Sequence, residues 1–240
     1  MPHAFYYIHN MKKLVILTGA GMSAESGIKT FRDSGGLWEQ YHVEEVASPE
    51  GWERNPDLVR RFYNERRRQL QNAEPNKGHR RLAELERYFD VHIITQNIDN
   101  LHERGGSTKV LHLHGQLTRA RSSINPNLVI DIGYRDILPQ EKAPDGSLLR
   151  PDVVWFGEAV HSMGEAAEIA SRANIFAVIG TSLNVYPAAG LIHYVAAMIP
   201  VFLVDPKPVY VPSMHKVEYI PEGAEKGIAI LAEKLEEFKI

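Results

Sequence analysis

"LVILTGAGMSAESG", residues 14–27, is an apolar run that breaks into a glycine loop and then into small residues. Four large aliphatic side chains in a row, with no polar alternation, read as a strand buried on both faces, as in a parallel sheet. Gly19-Ala20-Gly21 directly after it permits a tight turn. Such a turn lets backbone N–H groups approach a pyrophosphate, and a following helix N-terminus adds favourable partial charge. A structural turn alone explains the same glycines, so the loop by itself leaves both readings open. A P-loop is excluded, because no Gly-Lys-Ser/Thr follows. Glu39 stands about 20 residues on, where a dehydrogenase-type fold carries a ribose-binding acid. Its surroundings, "TFRDSGGLWEQY" (30–41), have loop character and not that of a second strand.

Working outward, three more apolar runs match the first: "VHIIT" 91–95, "IFAVIG" 175–180 and "VFLV" 201–204. Helical patterns lie between them at 57–71, 77–88, 163–172, 187–198 and 223–238. Strands alternating with helices predict an α/β fold, a Rossmann-like doubly wound parallel sheet whose ligands bind beyond the carboxyl ends of the strands. The segments to watch are therefore those that follow the strands, at 18–32, 96–106, 180–190 and 205–208. The stretch 116–155, rich in prolines and turn dipeptides, reads as a loop-rich insertion. A second insertion, of helical character, covers about 34–78. The expected division is a large domain of about 10–33, 79–115 and 156–240, with a small domain built from the two insertions.

Composition narrows the function classes. At 240 residues, 44% hydrophobic and 24% charged, the chain is long enough for one large core with an insertion. A net charge of −3, from 27 basic and 30 acidic residues, offers no global attraction to nucleic acid or to an anionic membrane. No cysteine is present, which excludes disulfides, thiol nucleophiles and thiolate zinc sites. The start "MPHAFYYIHN" lacks the features of a signal peptide, and the longest nearly apolar run, 195–204, is broken by Pro200. A soluble, cytoplasmic, monomeric protein with no nucleic-acid or membrane partner is the expectation.

Several residues carry chemistry in their own right. Gln96, Asn97 and Asp99 follow a buried strand, so their side chains emerge at the ligand-binding edge, although "TQNID" equally suits a helix cap. In "HLHG" the alternation puts His112 and His114 on one side. Imidazole titrates near neutrality and suits a general base; a structural histidine or a His-x-His metal pair are the other readings. In "FYNERRRQL" (62–70), Tyr63 and Arg66 are three apart and share a helix face, while a cationic run more often faces solvent.

Five motifs then occur in order: "GAGMSAESGIKTFR" (19–32), "TQNIDNLHERGG" (95–106), "LHG" (113–115), "RPDVVWFGE" (150–158) and "GTSLNVYPAAG" (180–190). Together they resemble the sirtuin family of NAD-dependent protein lysine deacylases, over about residues 12–235. The resemblance implies NAD in the Rossmann-like domain and an acyl-lysine protein or peptide in the cleft beside the insertion domain. The acyl group passes to ADP-ribose as nicotinamide is released. It implies Gly19, Ala20, Gly21, Ser23, Phe31 and Arg32 around the pyrophosphate and reacting ribose. Gln96, Asn97, Ile98 and Asp99 fall near the ribose and the nicotinamide carboxamide, with Asn97 also ordering water. Gly180, Thr181, Ser182, Asp205 and Ala224 fall on the adenosine side, Asp205 where sirtuins usually carry asparagine. His114 takes the role of base. Phe156, Gly157, Glu158 and Val185 hold the substrate peptide through main chain.

Two features set the chain apart within that resemblance. Most sirtuins carry a four-cysteine zinc site beginning soon after the catalytic histidine; here Ser122-Ser123 stand there, so no zinc is expected. Either hydrophobic contacts within 116–155 replace the metal or the small domain is looser. The sirtuin class that removes acidic acyl groups carries Tyr-x-x-Arg, matched by Tyr63 and Arg66. That match implies a desuccinylase or demalonylase with weaker deacetylase activity. Arg67 and Arg68 point elsewhere on the helix and are expected to be solvated. Mono-ADP-ribosyl transfer, a non-catalytic NAD-binding module and, more distantly, a dehydrogenase are the alternatives.

Overall fold

The computed structural model describes residues 11–28, 41–209 and 216–239. Phe31, Arg32 and Glu39 lie outside the described residues. Nine strands are numbered in chain order. Lys13–Thr18 (β1), Asp90–Thr95 (β2), Val110–His112 (β3), Ile175–Ile179 (β7), Val201–Val204 (β8) and Val217–Ile220 (β9) form one sheet; Gly115–Ser122 (β4), Val129–Asp131 (β5) and Leu149–Val153 (β6) form another. The large sheet is parallel throughout, in the order β3-β2-β1-β7-β8-β9. Its strand order reverses between β1 and β7, and the crevice beyond their carboxyl ends is where such sheets bind ligands.

The continuous apolar runs arise because helices cover both faces. Leu14 and Ile16 point to one side, into a core with Leu82 and Leu85 of the helix Lys77–Leu85 and Ile228 and Leu231 of the helix Ala224–Lys234. Val15 and Leu17 point to the other, against Ala166 and Ala170 of the helix Met163–Ser171 and Leu191 and Ile192 of the 3-10 helix Ala188–Tyr194. That last segment departs from the α-helix expected over 187–198. Pro187 and Pro200 bracket it, and Val195 already has extended backbone. The helix expected over 77–88 ends as α-helix at Leu85, where the chain turns so that Phe89 enters the core.

The polar stretch 116–155 holds the antiparallel sheet β5-β4-β6. Ala120, Ile132, Ile137, Ala143 and Leu149 form a small apolar cluster of its own. Ser122 is buried. Its Oγ donates to Asp145 at 2.6 Å and accepts from the backbone N–H of Asn125 at 2.9 Å, with Ser147 at 2.8 Å. Glu158 accepts from Arg150 of β6 at 2.7 Å and from Arg121 of β4 at 3.2 Å, bridging the two paired strands. Apolar packing and a serine–aspartate network thus occupy the place where the resemblance puts cysteines.

The helix Pro56–Asn72 is set by its start: Pro56 takes the first position and Asn55 accepts from the N–H of Leu58 at 3.0 Å. Phe62, Tyr63 and Leu70 pack with Leu117, Val153 and Trp155 of the small sheet region. Arg67 overturns the expectation of solvated charge. It is fully buried; its Nε donates to the Leu117 carbonyl at 2.6 Å and its Nη1 to Asn64 at 2.7 Å, and burial pushes its guanidinium down to about 10. Arg68 is the exposed member, paired with Asp136 at 2.6 Å. Arg67→Met is expected to destabilise by roughly 2–4 kcal/mol, since it orphans buried acceptors, and Arg68→Met to be near neutral. Urea midpoints check both; equal midpoints would return Arg67 to the solvated class.

Candidate active site

The site forms where the turns after β1, β2 and β7 meet. Gly19 N–H donates to the Ile179 carbonyl at 3.0 Å and Gly21 N–H to the Gly180 carbonyl at 2.8 Å, so the first turn is stitched to the end of β7. The contact is too close for side chains. A Cβ on Gly19 would stand 2.5 Å from Thr181 Cβ, and one on Gly21 would stand 2.7 Å from Gly180 Cα. Gly180 adopts φ +61°, and a Cβ there would stand 2.4 Å from Met22 N. Gly180→Ala is therefore expected to separate the two turns, lowering NAD affinity at least tenfold by calorimetry and costing roughly 1–3 kcal/mol in thermal unfolding. Unchanged affinity would show that the junction does not shape the site.

Gly19, Gly21, Met22 and Ser23 donate their N–H groups to carbonyls of the two turns, which hold Ala20 between them at the junction with Gly180 and Thr181.

The end of β2 supplies a polar network. Asn97 Nδ2 donates to the Gly19 carbonyl at 3.0 Å and Ser23 Oγ at 3.2 Å. Ser23 Oγ donates to Asp99 at 2.9 Å, and Asp99 also accepts from Leu101 N–H at 3.1 Å. Burial raises the Asp99 carboxyl, opposed by these two donors. Gln96 Nε2 donates to Thr181 Oγ1 at 3.0 Å, linking the β2 and β7 turns. Ile98 accepts from Leu117 N–H at 2.7 Å and packs toward Tyr63 and Leu101. Asn76 caps the helix Lys77–Leu85 and donates to the Met22 carbonyl at 2.8 Å, holding the first turn from outside.

His114 lies between β3 and β4 with Nδ1 2.9 Å from the Gln96 carbonyl. A carbonyl only accepts, so Nδ1 carries the hydrogen and the Nε2 lone pair is left to take a proton. Burial pushes this imidazole below its ordinary value, with the Gln96 bond acting against it. His112 differs. Its Nδ1 faces the Asn97 carbonyl at 3.0 Å and its Nε2 faces Glu103 at 2.8 Å, so both nitrogens are engaged and neither serves as base or metal ligand.

Tyr63 is buried, and Trp155 Nε1 donates to its Oη at 3.1 Å. Burial pushes its phenol up to about 12. Arg66, partly buried on the same helix face, is pushed down by burial, with the charges of Tyr63 and Asp99 opposing. Ile98, in the turn after β2, packs against the apolar cluster that contains Tyr63. Phe156, 52% exposed, and Val185, 41% exposed, present apolar side chains outward. Phe156 N–H is bonded to the Ala47 carbonyl and Glu158 N–H to the Trp155 carbonyl, and no backbone bond from Gly157 N–H is made among the described residues. Asp205, after β8, is half-buried and accepts from Lys207 N–H at 2.9 Å. Ala224 opens the last helix, its methyl group within the core.

The residues brought together fit a dinucleotide. The turns at the strand-order reversal bring together small residues, the polar side chains of Ser23, Gln96, Asn97, Asp99 and Thr181, and, through the Gln96 carbonyl, His114. The Sir2 family model matches residues 19–187. A protein of Bacteroides thetaiotaomicron named NAD-dependent protein deacylase is 53% identical over 94% of this chain and 98% of its own length. One of the same name from Helicobacter pylori is 51% identical with the same coverage. Among solved structures, a Sir2 homologue bound to ADP-ribose is 37% identical with a TM-score of 0.86, covering 99% of this chain and 98% of the other. A Sir2 homologue–NAD complex, also 37% identical, has a TM-score of 0.85 and covers 99% and 95%. Motif order, fold and site geometry agree with these matches, and the chain belongs to the Sir2 family.

Proposed function

We propose that this chain is an NAD-dependent protein-lysine deacylase that prefers succinyl or malonyl groups over acetyl. Deacylase activity is supported by relatives of that name at about half identity over nearly the whole chain. The preference rests on one observation: a neutral phenol and a guanidinium, Tyr63 and Arg66, share one helix face. A guanidinium matches a carboxylate fork, and a phenol adds a further donor.

NAD supplies the nicotinamide–ribose bond, whose cleavage leaves ribose ready to accept the acyl group. Around it, Ala20, Thr181 and Ser182 hold phosphate and adenosine, with Asp205 at the adenine ribose. Asn97, fixed through Nδ2, keeps Oδ1 for ribose or water. Asp99 and Ile98 take the nicotinamide carboxamide. His114 Nε2 receives the proton of a ribose hydroxyl. The exposed Phe156–Glu158 segment and Val185 flank the acyl-lysine peptide.

Incubation with NAD and a succinyl-lysine peptide, followed by mass spectrometry, is expected to yield nicotinamide, free lysine peptide and O-succinyl-ADP-ribose in equal amounts. ADP-ribosylated peptide instead would favour ADP-ribosyl transfer. The pH profile carries a second expectation. A base works unprotonated, and a lowered His114 value keeps it so to lower pH than an ordinary histidine. The acid limb of kcat/KM is therefore expected below about 6.5. A limb above that value would contradict the assignment.

A further inference from the structure

Trp155 has no role of its own in the proposed reaction, yet it makes a directional bond to the acyl pocket. It is 2% exposed, and its Nε1 lies 3.1 Å from Tyr63 Oη. An indole N–H only donates, so the phenol oxygen accepts. A phenol has one hydrogen and two lone pairs. With Trp155 filling one lone pair, the phenol hydrogen turns away from the indole. Among the described residues this oxygen meets only Trp155, so none of them draws that hydrogen as an acceptor.

The indole itself is clamped. Its ring lies under the Arg150 guanidinium, 3.3 Å from the ring centroid, and the Trp52 ring packs at 5.8 Å. Arg150 is held in turn by Glu158, at 2.7 and 3.1 Å, and by the Val153 carbonyl at 3.0 Å. Glu158 also accepts from the backbone N–H of Trp155 at 2.8 Å. The donor is thus fixed at both backbone and ring, with little freedom to follow the phenol if it rotates.

Resting on the acidic-acyl reading above, we infer that Trp155 is a positioning residue for acyl specificity: it donates to Tyr63 Oη and so commits the phenol hydrogen to the distal carboxylate of the acyl group. Without that donation a phenol lone pair can face the carboxylate, which is repulsive; with it, the phenol presents a donor beside Arg66. An acetyl group ends in a methyl and has no use for the commitment. Trp155 acts through Tyr63 alone.

The test compares wild type, Trp155→Phe, Tyr63→Phe and the double variant on succinyl- and acetyl-lysine peptides of one sequence. Trp155→Phe keeps an aromatic ring and removes the N–H. Its succinyl kcat/KM is expected to fall about tenfold, mainly through KM, while acetyl changes by less than about twofold. In the Tyr63→Phe background the same change is expected to cost nothing further, because the two residues act as one unit. Parallel losses on both acyl groups, or losses that multiply in the double variant, would make Trp155 merely structural and overturn the inference. A wild type without succinyl preference removes the acidic-acyl reading and this inference together; a preference that survives Trp155→Phe removes the inference alone. Should Trp155→Phe fail to fold, indole N–H spectra of wild type and Tyr63→Phe decide. The chain has three tryptophans. One indole proton signal is expected to move upfield on loss of the phenol, and three unmoved signals would overturn the inference.

Discussion

His114→Ala is expected to lower kcat for acyl transfer by about 10²–10⁴-fold, the range for removing a positioned general base, with NAD affinity nearly unchanged. The separation follows from position. His114 is anchored through Nδ1 to the Gln96 carbonyl, and none of the hydrogen bonds that join the Gly19–Ser23 turn to Gly180 and Thr181 passes through it. Removing the imidazole therefore takes away the Nε2 lone pair and leaves the bonds between these turns in place. Nicotinamide–ribose cleavage precedes the step that needs this base, so exchange of labelled nicotinamide into NAD is expected to survive better than product formation. Titration calorimetry with NAD and single-turnover product analysis measure the two halves. Full product formation in the variant would remove His114 as base, and His112 cannot replace it with both nitrogens engaged.

Arg66→Met carries the second large effect. A charge-assisted contact in a dry cleft is worth about 1.5–3 kcal/mol, so the ratio of succinyl to acetyl kcat/KM is expected to fall by about 10- to 150-fold. Methionine keeps most of the aliphatic length against Phe62, over whose ring the guanidinium lies at 5.7 Å, so the helix packing is largely preserved. The change is expected mainly in KM for the acidic acyl group, as for lost substrate binding, with acetyl turnover much less affected. Equal losses on both acyl groups would make Arg66 a structural residue.

The parallel sheet was legible because each central strand is buried on both faces and so writes itself as an unbroken apolar run; "LVIL", "IFAVI" and "VFLV" all lie within the strands found. The place of the candidate site was legible for a topological reason: the segments after β1, β2 and β7 converge at the strand ends, where Asn97 bonds Gly19 and Gln96 bonds Thr181. What the sequence concealed is set by contacts between distant segments. Arg67 is buried because the Leu117 and Arg135 carbonyls receive it, and nothing within "ERRRQ" distinguishes it from Arg68. The strands β4–β6 were hidden in proline-rich polar sequence, where β4 takes one partner from the nearby β5 and the other from the distant β6, Ser122 pairing with Leu149 and Gly115 with Val153. Gly19 and Gly21 were read for a tight turn, while their close fit against Gly180 and Thr181, about 160 residues on, was not visible. Trp155 was visible within "RPDVVWFGE", while its bond to Tyr63, 92 residues away, was not; an indole beside a motif that already suggested a phenol was the available signal.

The central claim is tested most directly by competition in one tube: wild-type protein, limiting NAD, and equimolar succinyl- and acetyl-lysine peptides of identical sequence, with both ADP-ribose esters quantified by mass spectrometry. Because both substrates share every other condition, the product ratio reports the ratio of kcat/KM alone. The Tyr63–Arg66 site predicts that O-succinyl-ADP-ribose exceeds O-acetyl-ADP-ribose by about tenfold or more. Equal esters, or an excess of the acetyl product, would contradict the acidic-acyl site while leaving the NAD-dependent chemistry standing.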